Sequence, residues 1–429
     1  MQTFSAVNIE QLYQHYLAHP SVQTDTRKLQ PGDVFFALRG PNFNGNQYAA
    51  AALEAGASLA VIDDPAFHTV PEKMMLVTDV LHTLQQLARR HRQQFDIPFI
   101  AITGTNGKTT TKEMVRTVLG SQYRTYATAG NLNNHIGVPL TLLGIPANAE
   151  MAVIEMGANH QREIAGYCTV ALPTHGLITN IGKAHLEGFG GEEGVRKAKG
   201  ELYDYLRDNG GTAFVCADYP YLLDMSKGIP QVVTYGSEAA DYTGKPAAGS
   251  ALLELGTEQT GPVHTRLVGG YNFPNVMAAI AIGLHFGVPA AKIKTAIEAY
   301  VPSNNRSQIE KRGSNTFIMD AYNANPSSMK AAVENFAAIN APQKVLLLGA
   351  MKELGEDSEK EHQALADLLQ KQHWKAVVLV GPEFEKVSHP YIFMKTADDA
   401  KKWLEQQGFE NTHILVKGSR SVGMEKVLP

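Results

Sequence analysis

A short loop with two glycines and a lysine, Gly104-Thr-Asn-Gly-Lys-Thr-Thr110, has residue types suited to phosphate chemistry. Glycines let backbone N–H groups close around phosphate oxygens, and a helix starting in the loop adds the partial positive charge of its N-terminus. Lys108 supplies a charge for the β- and γ-phosphates, and Thr109 supplies a hydroxyl for Mg²⁺. The common spacing G-x-x-x-x-G-K-[ST] would need a glycine at Ile102, so only G-x-x-G-K-T remains. An apolar run before the loop and a helical pattern after it favour a nucleotide site over an ordinary turn.

The loop by itself does not identify the reaction. The sequence has no N-K-x-D element, which a regulatory GTPase would use to recognise its base. The apolar run 151–154 ends in Glu155, where a motor or transporter ATPase would normally have an aspartate. A carboxylate at a strand end beside the phosphate loop is suited to Mg²⁺. Taken alone, Glu155 is read equally well as a solvated glutamate.

Short apolar runs alternate with helical patterns, which predicts a mostly parallel, doubly wound α/β fold. Breaks near 93–98 and 302 divide the chain into blocks 1–95, 96–301 and 302–429. A small antiparallel piece is predicted at 250–270 and a helix at 272–286. Residues 358–361 have capping-box spacing, and the acidic stretch 353–361 is interpreted as a solvated loop and helix start. Strands are predicted at 34–38, 59–62, 74–77, 99–102, 151–154, 176–179, 212–215, 317–319, 345–348, 376–380 and 413–416.

Composition excludes several classes of protein. The 429 residues carry a net charge of -4, which argues against general electrostatic capture of nucleic acid or an anionic membrane. The two cysteines, Cys168 and Cys216, cannot form a disulfide framework or a cysteine-rich zinc site. The first residues lack the basic head and apolar stretch of a signal peptide, and no apolar run is long enough for a bilayer. We therefore expect a cytoplasmic enzyme without membrane insertion.

Several segments, taken together, resemble the ATP-dependent Mur ligase family. They are the phosphate loop, 24–27 with 31–40, Ala129-Gly-Asn-Leu-Asn-Asn-His-Ile-Gly-Val-Pro139, Glu155-Met-Gly-Ala-Asn-His-Gln161, Lys183-Ala-His-Leu-Glu187, Asp320-Ala-Tyr-Asn-Ala-Asn-Pro-Ser-Ser-Met329 and Leu415-Val-Lys-Gly-Ser-Arg-Ser421. Ala321 stands where a serine is common, and the D-N-P-R element of the diaminopimelate-adding members does not occur. The resemblance implies a small α/β UDP-binding domain, a central P-loop ATPase domain with a mostly parallel sheet, and a C-terminal Rossmann-like domain.

The same resemblance implies an amide ligase of peptidoglycan precursor synthesis. In such a reaction ATP converts a peptide carboxylate into an acyl phosphate, which an amine then attacks. The implied cofactors are ATP and Mg²⁺, and the implied substrates are a UDP-N-acetylmuramoyl tripeptide and D-alanyl-D-alanine. We expect a monomer whose last block closes over ATP about a hinge near 300–304.

The resemblance also assigns roles to individual residues. Those for ATP are Gly104, Thr105, Asn106, Gly107, Lys108, Thr109, Thr110, Asn272, Asn275, Arg306 and Asp320. Those for Mg²⁺ are Thr109, Glu155, His185 and Lys199, the last as a CO₂ adduct (a carbamate). The catalytic set is Lys108, Glu155, His185 and Lys199. Those for the substrates are Asp25, Arg27, Asn133, Asn134, His160, Tyr322, Asn323 and Asn325.

Simpler interpretations exist for some of these residues. Asp25 and Arg27 could instead form a plain surface ion pair, and His185 could be a surface residue. Asn275 could be an ordinary helix-start residue, and Lys199 could belong to an exposed basic face of a helix. The alternative enzyme is a related ligase such as a folylpolyglutamate synthase, although the segment 24–40 favours a UDP-sugar substrate. A nucleotide-dependent binding protein or an inactive homologue is the alternative from another class.

Overall fold

The computed structural model describes residues 9–247, 251–302 and 306–428. The helices are α1 Ile9–Ala18, α2 Ala49–Glu54, α3 Val80–Arg92, α4 Lys108–Gly120, α5 Gly137–Leu143, α6 Glu163–Ala171, α7 Leu186–Phe189, α8 Glu192–Asp208, α9 Pro220–Met225, α10 Phe273–His285, α11 Ala290–Ala299, α12 Pro326–Ala338, α13 Ser358–Leu369 and α14 Ala397–Gln407. The strands are β1 Val22–Gln23, β2 Val34–Phe36, β3 Arg39–Gly40, β4 Phe43–Asn44, β5 Leu59–Ile62, β6 Met74–Leu76, β7 Phe99–Thr103, β8 Thr125–Ala127, β9 Met151–Glu155, β10 His175–Ile178, β11 Thr212–Cys216, β12 Gln231–Gly236, β13 Tyr242–Pro246, β14 Leu252–Thr257, β15 Gly261–Val268, β16 Gln308–Arg312, β17 Asn315–Asp320, β18 Lys344–Gly349, β19 Ala376–Val380, β20 Ile392–Met394 and β21 His413–Lys417.

The chain forms two compact units. The first comprises Met1–Ala101, Tyr123–Gly157 and Glu163–His175, and the second comprises Ile102–Gln122, Ala158–Arg162 and Gly176–Pro429. The first unit contains a four-stranded parallel sheet in the order β1-β2-β5-β6. Its strands β2 and β5 are buried along their whole length, which is why the sequence shows them as short apolar runs. Strands β8 and β9, also in this unit, pair in parallel.

The second unit contains the strands from β10 to β15 in the order β15-β14-β13-β12-β11-β10. Strand β12 pairs in parallel with β11 and β13, whereas β14 pairs antiparallel with β13 and β15. This arrangement confirms the antiparallel piece predicted for 250–270 in its described part, from Leu252 onward. None of the described helices is long and apolar enough to cross a membrane.

A second sheet of this unit has the order β16-β17-β21-β18-β19-β20, and only β16 pairs antiparallel. Alternate residues of β18 enter different cores. Leu346 and Leu348 pack in the core that contains α12 and α13, whereas Val345 and Leu347 pack in the core that contains α14. Because both faces of the strand are covered, the doubly wound arrangement predicted for this part of the chain is confirmed.

One local prediction for the last block is wrong, and one strand was not predicted. The N-cap of α13 is Asp357, without a side-chain cap, and Ser358 is the first helical residue. The capping box instead precedes α12, where Asn325 and Ser328 each accept a backbone N–H from the other. The polar strand β16, sequence Gln-Ile-Glu-Lys-Arg, was not predicted, because an edge strand need not be apolar.

Candidate active site

The phosphate loop connects β7 to α4, and a neighbouring segment of the second unit holds it in place. Thr105 N donates to Asn180 O at 2.9 Å, and Asn106 N donates to Asn180 Oδ1 at 3.1 Å. Thr179 Oγ1 donates to Asn106 O at 2.6 Å. These contacts fix the backbone of the loop from the side of β10. The loop is therefore shaped before any phosphate binds, which is the preorganisation an anion site needs.

The side-chain nitrogen of Lys108 lies within the phosphate loop, where it is predicted to contact phosphate. Its Nζ donates to Gly104 O at 2.7 Å and to Thr105 O at 3.0 Å. The backbone of Gly104 has φ +137°, a value that residues with a side chain rarely adopt. A phosphate bound in this loop would meet the lysine and the first N–H groups of α4 together.

Gly107 is a position in the loop where an added methyl group should be disruptive. Its φ is +81°, and a Cβ built there would lie 2.5 Å from Asn275 Oδ1. We expect Gly107→Ala to reduce the free energy of unfolding by roughly 1–3 kcal/mol and to weaken binding of an ATP analogue. Thermal denaturation and titration calorimetry measure the two effects. Gly120→Ala, at the end of the same helix with open space around it, is the control. Equal behaviour of the two variants would contradict the expectation.

A chain of buried amide and hydroxyl groups runs from α4 to the start of α10. Thr111 Oγ1 donates to Asn275 Oδ1 at 3.1 Å, and Asn275 Nδ2 donates to Asn272 Oδ1 at 2.9 Å. Asn272 Nδ2 donates to Val268 O at 2.9 Å. Both asparagines are therefore structural links behind the loop, so Asn275 does more than begin a helix. Their predicted contact with adenine stays a prediction.

The same chain of hydrogen bonds continues into the C-terminal segment, residues 306–428. Ser307 Oγ lies 3.0 Å from Tyr271 Oη and accepts from Asn272 Nδ2 at 3.4 Å. Ser307 N donates to Asp320 Oδ1 at 3.4 Å, and the other oxygen of Asp320 pairs with Lys417 at 2.6 Å. Asp320 is thus held in a fixed orientation. Ser307 was not predicted, and its left-handed backbone, φ +48°, is visible only in the structure.

Two arginines lie over one aromatic ring in the C-terminal segment. The guanidinium of Arg306 is 3.6 Å from the centroid of the Tyr322 ring, and that of Arg420 is 5.5 Å from it. Ser419 Oγ donates to Asn323 Oδ1 at 3.3 Å. Asn325 Nδ2 donates to Asn106 Oδ1 at 2.8 Å, so this residue contacts the phosphate loop directly. The structure therefore places Asn325 closer to the nucleotide elements than its predicted peptide-facing role implied.

The loop that carries His185 contacts the acidic stretch 353–361. His185 Nδ1 is 2.5 Å from Glu353 Oε2, and hydrogen bonding to His185 lowers the pKa of Glu353. Lys183 Nζ is 2.8 Å from Glu361 Oε1, and Lys183 N donates to Ser327 Oγ at 3.0 Å. The interpretation of this stretch as solvated is wrong for Glu361, which is buried. The same loop thus meets two separate parts of the C-terminal segment.

Lys199 lies inside the second unit, on α8. The residue is only 2% exposed, and its Nζ donates to Ala158 O at 3.0 Å. The same Nζ is 4.8 Å from the centroid of the Phe189 ring. The simpler interpretation, an exposed basic face, is therefore wrong for this lysine, although Lys197 on the same helix is exposed.

In the first unit, Glu155 ends the buried strand β9. Its Oε1 accepts from Asn133 Nδ2 at 2.8 Å, and its backbone N donates to Thr128 Oγ1 at 2.9 Å. The carboxylate is buried, so it is not the solvated glutamate of the simpler interpretation. Asn134 Oδ1 accepts from Gly137 N at 2.8 Å and thereby holds the start of α5.

The remaining predicted substrate residues lie at the surface. Asp25 and Arg27 form a bidentate pair with both N–O distances at 2.8 Å, and this pair holds the pKa of Asp25 at about 2. The side chain of Arg27 is 86% exposed, which matches a plain surface ion pair. His160 is exposed, and its Nδ1 is 3.0 Å from Asn159 Oδ1. Their roles toward substrate stay predictions.

Three of the four proposed Mg²⁺ ligands would offer the oxygen atoms that this ion prefers, and His185 would offer a nitrogen. Thr109 offers a hydroxyl, Glu155 a carboxylate, His185 an imidazole and a carbamate of Lys199 a further anionic oxygen, and Mg²⁺ prefers oxygen ligands completed by water and phosphate. Across the described residues, no three His, Cys, Asp or Glu side chains group in a way that would hold a metal ion.

The phosphate loop lies between a strand and a helix, and hydrogen bonds to Thr179 and Asn180 hold its backbone. The C-terminal segment forms a separate doubly wound sheet. Together these features define a P-loop nucleotide-binding protein. Comparison with known families makes this more specific, because the chain belongs to the Mur ligase family. Three family models match consecutive segments: the Mur ligase family catalytic domain at 20–92, the Mur ligase middle domain at 102–283 and the Mur ligase glutamate ligase domain at 305–420.

Similar proteins cover nearly the whole chain. The UDP-N-acetylmuramoyl-tripeptide–D-alanyl-D-alanine ligase of Bacillus subtilis (strain 168) is 34% identical over 98% of this chain and 96% of its own. The enzyme of the same name from Escherichia coli (strain K12) is 36% identical over 95% of this chain and 92% of its own. Among solved structures, MurF ligase from Thermotoga maritima in complex with ADP is 26% identical, covers 96% of both chains and has a TM-score of 0.86.

Proposed function

We propose that this chain is an ATP-dependent ligase that joins D-alanyl-D-alanine to a UDP-N-acetylmuramoyl tripeptide. The similarity to the ligases of that name over nearly the full length is the observation that carries the proposal. The phosphate loop, with Lys108 turned into it, supports the ATP-dependent half of the reaction. We also propose that the protein acts as a monomer in the cytoplasm.

The reaction must overcome the low reactivity of a carboxylate toward amines. The terminal carboxylate of the tripeptide attacks the γ-phosphorus of ATP, which gives an acyl phosphate and ADP. The amine of the dipeptide then attacks the acyl carbon, loses a proton, and inorganic phosphate leaves with the electron pair of its bond to carbon. The protein contributes chiefly position and charge, because phosphoryl transfer needs little covalent chemistry from side chains.

In this proposal the loop residues 104–110 bind the phosphates, and Lys108 offsets their charge. Thr109 and Glu155 would hold one Mg²⁺, and His185 with a carbamate of Lys199 would hold a second. Bound Mg²⁺ would supply charge neutralisation at the transferring phosphoryl group. Asn272, Asn275, Arg306 and Asp320 are assigned to the nucleotide. The side chains assigned to the two peptide substrates and the UDP end are Asp25, Arg27, Asn133, Asn134, His160, Tyr322 and Asn323.

We propose that these tasks are divided among three domains, with bounds 1–95, 96–301 and 302–429. Each of the three matching family segments falls within one of these ranges, which supports the boundaries. The proposed hinge near 300–304 includes Ser303 and Asn304, which lie outside the described residues. Contacts such as Asn325 with Asn106 support a C-terminal domain that reaches the phosphate loop.

Co-substrate dependence tests the proposed function. We expect ADP release only when a UDP-N-acetylmuramoyl tripeptide and D-alanyl-D-alanine are both present, with a pentapeptide product seen by mass spectrometry. Turnover with a pteroyl glutamate would instead identify a folylpolyglutamate-type ligase. Nucleotide binding without turnover under any of these conditions would identify a binding protein or an inactive homologue.

A further inference from the structure

The carboxylate of Asp320 lies at one edge of the C-terminal sheet, beside a buried lysine. Asp320 ends β17 and Lys417 ends β21, and these parallel strands place the two residues opposite each other. Lys417 Nζ donates to Asp320 Oδ2 at 2.6 Å, and the side chain of Lys417 is only 3% exposed. Ligands of doubly wound sheets bind outside the carboxyl ends of the strands. The pair therefore lies at the edge of the sheet where a ligand is expected.

The ammonium of Lys417 is directed entirely at the segment that follows β17. Besides the carboxylate, Nζ donates to the backbone oxygen of Asp320 at 3.5 Å and to Asn323 O at 3.3 Å. An ammonium has three N–H donors, so these contacts use all of them. A buried lysine with its donors used in this way acts on a ligand through its neighbour and not by direct contact.

The carboxylate of Asp320, in contrast, retains capacity for a ligand. Among the described residues it accepts from Lys417 Nζ at Oδ2 and from Ser307 N at Oδ1, the latter at a long 3.4 Å. An ionised carboxylate can accept about four hydrogen bonds. Its side chain is 18% exposed, so part of the carboxylate is open to a ligand. A ligand with hydroxyl donors would suit this group.

Hydrogen bonds connect Asp320 to α4, the helix that begins in the phosphate loop. Ser307, which donates to Asp320, accepts from Asn272 Nδ2 at 3.4 Å. Asn272 Oδ1 accepts from Asn275 Nδ2 at 2.9 Å, and Asn275 Oδ1 accepts from Thr111 Oγ1 of α4 at 3.1 Å. The carboxylate is thus tied to the same framework as the phosphate loop. This connection suits a contact with the nucleoside end of a nucleotide whose phosphates lie in that loop.

We propose that Lys417 is a positioning residue, which fixes the carboxylate of Asp320 so that it accepts hydrogen bonds from the ribose hydroxyl groups of ATP. The inference rests on the proposed function, which assigns Asp320 to the nucleotide. Without the ammonium, the carboxylate would lose the charge that compensates its partial burial and the contact that sets its orientation. Selectivity for a ribose with hydroxyl groups would then depend on a residue that does not touch the nucleotide.

The test compares two nucleotides that differ only in the ribose. Titration calorimetry with full-length protein and Mg²⁺ measures Kd for ADP and for the dideoxy analogue that lacks both ribose hydroxyl groups. The ratio of the two Kd values reports what the hydroxyl groups contribute. The variants are Lys417→Met, Asp320→Ala and the double variant with both changes. Lys344→Met is the control, because Lys344 starts β18 at the opposite edge of the same sheet and donates to Ala337 O.

We expect wild type to bind ADP about 10–100-fold more tightly than the dideoxy analogue, the usual contribution of hydrogen bonds to a charged group. Lys417→Met and Asp320→Ala should each bring this ratio close to one. The double variant should match Asp320→Ala in both affinities, because Lys417 acts only through that carboxylate. Lys344→Met should keep the wild-type ratio. A merely structural role of Lys417 would weaken both nucleotides alike and leave the ratio unchanged.

The outcomes that would overturn the inference are distinguishable. If Lys417→Met keeps the wild-type ratio, or if the double variant binds more weakly than Asp320→Ala, Lys417 does not act through Asp320. If wild type binds ADP with a ratio close to one, Asp320 does not recognise the ribose, and the inference fails while ATP-dependent ligation stands. If wild type does not bind ADP, the proposed function fails, and the inference fails with it.

Thermal denaturation checks that each variant is folded. Lys417→Met leaves the carboxylate of Asp320 without its cation, which is a destabilising change. The double variant removes both charges and avoids this problem. Should Lys417→Met fail to fold, the comparison of the double variant with Asp320→Ala decides the question.

Discussion

Replacing Lys108 by alanine should nearly abolish ligation while the fold survives. Its ammonium lies inside the phosphate loop on the carbonyls of Gly104 and Thr105 and contributes no core packing. Loss of one preorganised charge contact typically lowers the rate on the order of 10²–10³-fold, about 3–4 kcal/mol of transition-state stabilisation. Steady-state kinetics at saturating ATP measure this effect, and circular dichroism with thermal denaturation measures the fold.

Arg116→Ala is the matched control for the lysine variant. Arg116 is exposed on the same helix, α4, and pairs only weakly with Glu113 at 3.3 Å. It should keep wild-type turnover although it loses one positive charge. Near-normal turnover of Lys108→Ala at saturating ATP would show that Lys108 and its phosphate loop do not take part in the reaction.

Replacing Lys199 by alanine should also remove most of the activity, and added short carboxylates should restore part of it. The hypothesis is that the neutral amine of Lys199 adds CO₂ and releases a proton, which gives an anionic oxygen ligand on a long side chain. Lys199 is buried rather than part of an exposed basic face, which supports the hypothesis. A protonated amine beside Mg²⁺ would be repelled, whereas an anionic carbamate would be attracted. Acetate can occupy the space of the missing carbamate in the alanine variant and supply the oxygen ligand.

The control for this variant is Lys197→Ala, an exposed position on the same helix, which should keep its activity and show no response to acetate. Isotopically labelled CO₂ followed by carbon NMR should give a carbamate signal in wild type that Lys199→Ala lacks. Full activity of Lys199→Ala would refute the hypothesis. A wild-type protein without any carbamate signal under turnover conditions would refute it as well.

Neighbouring side chains contact two of the proposed metal ligands. Asn133 Nδ2 donates to Glu155 Oε1 at 2.8 Å, and Glu353 lies against His185. Such partners orient a ligand and are usually necessary for its full affinity. Variants of these partners should therefore change the Mg²⁺ requirement more than the rate at saturating Mg²⁺.

The sequence by itself determined the phosphate loop, the doubly wound α/β class and the buried strands. Lys108, Thr109 and their neighbours could be predicted because the donors that bind a phosphate lie close together in the sequence, within one strand–loop–helix unit. Strands such as β5 and β18 were found because burial on both faces demands a continuous apolar run. The family followed from the motifs, and the family models confirmed it.

Only the tertiary structure decided which charged side chains are buried and what they face. Lys199 and Glu361 look like members of solvated charged stretches, yet both are buried, and Asn275 is tied to Thr111, which lies 164 positions away in the sequence. A local pattern shows which face of a helix is polar, but it does not show whether another element packs on that polar face. Those partners come from distant parts of the chain, so their identity depends on how the elements pack together.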